Sequence, residues 1–135
     1  MKYRKLSQSE QKERADILRS GANYSGEGQE SYSSFSGMTP ATARVLLEKG
    51  YADPEDCQNG SPSFLEMTEF CEKHPGFTMH GYVIGGDRDD ARVTAEGVQG
   101  TAQDAEGMLD FFETFRCADS CDTNRETRSC YCWYD

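Results

Sequence analysis

Apolar side chains along this chain fall into short blocks whose spacing switches between three-and-four and two, with turn residues between the blocks. The first block is sparse. Ala15, Ile17 and Leu18 follow Ser7-Gln8-Ser9-Glu10, a capping box in which the serine hydroxyl and the glutamate carboxylate each accept from a free backbone N–H. A helix over about residues 8–19 is predicted, with a narrow packing stripe and weak tertiary support. Thr39-Pro40 and Gly50 bracket a second helix over 40–49, whose apolar side is Ala41, Ala43, Val45, Leu46 and Leu47, with Tyr51 closing over it. Ser61-Pro62 and His74-Pro75-Gly76 bracket a third over 62–73. There Phe64, Met67, Phe70 and Cys71 share one face and Glu66, Glu69 and Glu72 another.

The period then changes to two. Runs 77–84 and 91–98 flank Gly85-Gly86-Asp87-Arg88-Asp89-Asp90 and read as a β-hairpin. Ala91, Val93 and Ala95 alternate with Arg92, Thr94 and Glu96, as in a strand with one wet face. The alternation of Met79, Gly81 and Val83 with His80, Tyr82 and Ile84 is less clean and points to partial cover on both faces. Helical spacing returns over 102–116, opened by Thr101 and Asp104, where Ala105, Met108, Leu109, Phe112 and Phe115 form the expected core stripe and Phe111 widens it. A turn-rich segment, 119–124, leads to an aromatic final run, 126–134, suited to a third strand.

Helices gathered around a hairpin and one further strand define an α+β fold: a small, mostly antiparallel three-stranded sheet covered by helices. The partner of the last strand within the hairpin stays open. Residues 21–37 contain nine Gly or Ser in seventeen and are expected to be a flexible linker, in which Tyr24, Tyr32 and Phe35 could dock on the body or on a partner. The resulting organisation is a basic helical arm (1–20), a Gly/Ser/Tyr-rich linker (21–37) and a compact α+β domain (38–135). At 135 residues one core is expected.

Charge sharpens this picture. The formal net charge is −10, from 14 basic and 24 acidic side chains. Six basic and three acidic residues fall in 1–20, and eight and twenty-one in the remainder, so a +3 arm precedes a −13 body. Such a body repels phosphate backbones, which disfavours nucleic acid as a partner and favours a protein. No apolar run follows Met1-Lys2-Tyr3-Arg4-Lys5, and no window approaches a membrane span, so a cytoplasmic protein without a membrane partner is expected.

Four of the six cysteines, Cys117, Cys121, Cys130 and Cys132, lie in the last nineteen residues. Spacings of four and two, eight residues apart, would allow a closed four-thiolate zinc site, although the pairs lack the C-x2-C form of ordinary ribbons. Unligated thiols packing as small apolar groups are the alternative that requires no cofactor, and disulfides fit a reducing compartment least. Asp87, Asp89 and Asp90 with His80 are the nearest approach to a hard-cation or catalytic cluster. Asp and Gly, however, serve turns for backbone reasons alone. His74 stands at a helix stop, where an imidazole caps carbonyls. No nucleophile triad and no phosphate loop is present.

The composition therefore supports a non-catalytic acidic interaction or regulatory module, a type of protein found on phages and mobile elements. The alternatives are a metal-dependent enzyme using the hairpin carboxylates and a domain stapled by the C-terminal cysteines.

Overall fold

The computed structural model describes residues 3–27 and 30–135. Its elements run α1 (Gln8–Gly21), β1 (Tyr32–Met38), α2 (Pro40–Glu48), α3 (Phe64–Lys73), β2 (Phe77–Ile84), β3 (Arg92–Thr101), α4 (Ala105–Phe115), β4 (Ser120–Thr123) and β5 (Ser129–Trp133). The class is α+β, as the pattern predicts. The sheet has five antiparallel strands rather than three, in the order β1-β2-β3-β5-β4.

Both extra strands arise where composition argues for loop. β1 lies in the Gly/Ser stretch expected to be a linker, of which residues 28–29 are outside the described residues. Its serines do not prevent pairing, because ladder bonds to β2 use backbone groups alone. Phe35 and Met38, at 4% and 0% exposure, supply the apolar contribution. Burial of two such side chains stabilises by roughly 1.5–3 kcal/mol each. β4 forms within the turn-rich segment because β5 offers it a free edge. β5 itself pairs with β3, Gln99 opposite Tyr131 and Gly100 opposite Cys130, since the outer edge of β2 is already occupied by β1.

Helix ends follow their caps. Ser7 and Glu10 exchange both bonds of the capping box, and Ser63 and Glu66 do the same at α3. The third helix thus starts after Ser63 rather than after Ser61, whose hydroxyl instead accepts from Gln58 N–H in the preceding loop. Asp104 caps α4 by accepting from Gly107 N–H, while Thr101 ends β3. α1 buries Ala15 and Leu18 in the common core and carries Arg14 in with them at 1% exposure.

The helices cover one face of the sheet. Phe70 of α3 and Phe111 of α4 flank Phe77 of β2, with centroids 5.3 and 5.6 Å away, and Phe115 of α4 packs on both Phe70 and Phe111. Met79, Val83, Val93 and Val98 continue that face, all at 1% exposure or less. The stripe of α4 is turned from its expected side. Gly107, Phe111 and Phe115 are buried, whereas Leu109 and Phe112 are 56% and 47% exposed. Three phenylalanines and two aliphatic side chains give this helix more than one apolar side, so periodicity alone does not fix which one faces inward. Among the described residues no helix is long and apolar enough to cross a membrane.

Candidate functional site: the open face of the sheet

Side chains alternate across a strand, so those between the core residues of β2, β3 and β5 stand on the face without helices. At one end, Tyr32 of β1 stacks on Tyr82 of β2 at 5.3 Å between centroids. The Arg92 guanidinium lies 5.8 Å from the Tyr82 ring and 5.3 Å from that of Tyr3, which covers this corner. Tyr3 is held there by its hydroxyl, which donates to Asp56 at 2.6 Å, and Tyr82 donates to Gln58 at 3.0 Å. Arg92 also donates to Thr94 and to Asp90, so its fork is fixed over the rings. Such cation–ring contacts contribute about 0.5–1 kcal/mol when exposed.

The other end depends on a bulge. The pairing of β2 with β3 shifts between His80 and Gly81, leaving Glu96 without a direct partner. His80 then reaches across β3 above Gly97, and its Nε2–H donates to the Cys132 carbonyl of β5 at 2.8 Å, replacing a ladder bond. Only glycine fits beneath it: a Cβ at Gly97 would collide with the Cys132 carbonyl oxygen and stand 2.6 Å from His80 Nε2. The imidazole lies flat on Tyr131, with centroids 5.1 Å apart and planes 5° apart. Burial pushes the His80 pKa below its ordinary value, which keeps the ring neutral. Beside it Trp133 Nε1 donates to Glu96 at 3.3 Å. Burial, with Asp135 nearby, raises the Glu96 pKa despite that bond.

The strands of this face thus carry three tyrosines, a tryptophan, a neutral histidine and an arginine, with Tyr3 laid over one corner and with Tyr32 57% and Tyr131 37% exposed. Among these Tyr32 is legible in advance as an aromatic able to dock, and the His80/Tyr82 alternation is visible in sequence. Their convergence with Arg92, Tyr131 and Trp133 depends on strand register.

Of the residues expected to carry chemistry, only His80 belongs to this face, and it is not joined there by the loop carboxylates. Asp87 accepts from Gln11, and Asp90 is held by a bidentate Arg88 and by Arg92, so these carboxylates serve the turn. His80 sits four residues back along β2 with its Nε2–H committed to β5. Of the cysteines, Cys130 and Cys132 face the core, Cys121 stands opposite Cys132, and Cys117 is exposed after α4. All six are free thiols, and among the described residues no group of three or more His, Cys, Asp or Glu gathers in a way that could hold a metal ion. Burial pushes Cys71 and Cys132 up to about 12, so both stay protonated and inert at neutral pH.

A cavity of about 510 Å³ opens between the end of α3 and the start of α4. There His74 Nε2 and Asp110 Oδ2 are 2.5 Å apart and Lys73 is 3.6 Å from the same carboxylate. The pair ties α3 to α4. Comparison of the chain with family models, with curated proteins and with solved structures finds no match.

Proposed function

We propose that the protein is a non-catalytic interaction module that binds another protein through the open face of its sheet. The observation that carries this reading is the gathering of Tyr32, Tyr82, Tyr131, Trp133, His80 and Arg92 on one surface. Tyr, Trp and Arg are the residue types on which binding energy concentrates: Tyr and Trp combine large apolar area and a polar group with few rotatable bonds, and Arg adds a planar fork of donors that stacks on rings. Their pre-stacked, hydrogen-bonded arrangement reduces the ordering cost of association. Single-stranded nucleic acid also stacks on aromatic platforms, but a net charge of −10 opposes its backbone. A partner with a basic rim fits better.

The test is capture of partners from a host lysate with the wild-type chain and with Tyr131→Ala/Trp133→Ala, followed by hydrogen-exchange mapping of the captured complex. Loss of the partner from the variant, with new protection on β2, β3 and β5 in the wild type, supports the reading. A partner retained by the folded variant overturns it.

A further inference from the structure

α4 turns an apolar strip to solvent on the side of the molecule opposite the open face. Leu109 and Phe112 are 56% and 47% exposed, and with Met108 they form one wall of a groove of about 610 Å³. The other wall is the β4–β5 hairpin with Arg125 and Arg128. Neither arginine forms an ion pair among the described residues; Arg128 donates only to the Ala102 carbonyl, at 3.1 Å. On the far side of Leu109 the flank is acidic. Glu106 and Glu113, two helical turns apart, line the neighbouring cavity and are likewise without an ion-pair partner among the described residues.

A partner of a single charge sign would be attracted by one flank and repelled by the other. A second copy of this chain carries both flanks in matching order. A two-fold axis along the helix direction lays the strip on its counterpart with the two α4 helices parallel, and brings each copy's Glu106 and Glu113 over the other's Arg125 and Arg128. A two-fold across the helix would set acid against acid. We infer that α4 and the β4–β5 hairpin form an isologous homodimer interface, built on Leu109 and Phe112 and given its direction by these two acidic and two basic residues. The apolar area is small and both copies are acidic, so the dimer is a weak one that forms at high concentration. It leaves both open sheet faces pointing outward, giving a bivalent particle.

Sedimentation equilibrium across about 5 to 500 µM at physiological ionic strength (about 0.15 M) reads the association directly. The weight-average mass of the wild type should climb from the 15.1 kDa of one chain toward twice that value. Arg125→Glu/Arg128→Glu and Glu106→Arg/Glu113→Arg should each weaken association at least tenfold. An equimolar mixture of the two variants should restore it, because every flank again meets its opposite. The mixture is a fair test: from −10, two reversals in each direction give chains of −14 and −6, which repel overall. All four positions are exposed and Arg128 gives up only its bond to the Ala102 carbonyl, so circular dichroism should show unchanged folding. A wild type that stays monomeric throughout, variants that associate as the wild type does, or a mixture that fails to recover would each overturn the inference.

Discussion

The two faces of the sheet use rings in opposite ways. On the covered face, Phe70, Phe77, Phe111 and Phe115 pack edge and face against one another, with the His74 imidazole at their margin. On the open face, three rings end in a polar group with a partner: Tyr82 on Gln58, His80 on Cys132, Trp133 on Glu96. The first arrangement loses its energy with any truncation, because the neighbours cannot close the void. The second ties its polar ends to the fold and leaves Tyr32 and Tyr131 exposed, so it contributes less to stability and more to recognition. The difference lies in what packs across from the strands.

Truncation separates the faces most sharply. Phe111→Ala, at 0% exposure within the ring cluster, should lower unfolding free energy by about 3–5 kcal/mol in urea titration. Tyr131→Ala should cost only about 0.5 kcal/mol. Comparable losses would mean that the open face is structural too.

Arg14 is the exception within the core. Its three guanidinium nitrogens are buried without a hydrogen-bond partner among the described residues, and burial lowers its pKa. Arg14→Met should therefore stabilise by on the order of 1–3 kcal/mol, read as a shift of the urea midpoint. A destabilised variant would show that the guanidinium is satisfied by bound water.

Gly97 is where the two faces meet. Gly97→Ala should cost about 1–3 kcal/mol, since the added methyl forces β5 away and breaks the His80–Cys132 bond. The diagnostic reading is loss of amide protection in β5 ahead of β2.

The smallest effect is electrostatic. Glu96 has a folded-state pKa above its ordinary 4.5, so folding disfavours its charged form. That cost is present at pH values above the folded pKa and vanishes as pH falls through it toward and below 4.5. Glu96→Gln should accordingly be slightly more stable than the wild type at pH 7 and no more stable near pH 4. Thermal melts at the two pH values check this, and a pH-independent difference would assign the effect to packing.

Much of the local structure is legible in the sequence because its causes are local. The capping box at Ser7, the Thr39-Pro40 start of α2 and the 77–84 strand depend on residues within one turn or on strict alternation. The caps at Ser63 and Asp104 shift the expected helix starts by two or three residues, since several Ser, Thr and Asp compete nearby and only the fold selects among them. The candidate site was hardly legible. Tyr32, Tyr82, Arg92, His80, Tyr131 and Trp133 come from four strands across a hundred residues, and their meeting rests on register and on one bulge. The cysteine spacing, the most conspicuous feature of the sequence, leads instead to strand alternation that points Cys130 and Cys132 inward.

By itself, then, the sequence determined the helices, the central hairpin, the α+β class and the acidic charge, each set by short-range spacing or by counting. Only the tertiary structure decided that a serine-rich stretch becomes an edge strand, which side of α4 is buried, and which rings face solvent. Those outcomes depend on backbone pairing and on competition between surfaces for the same core, and neither is encoded in any one segment.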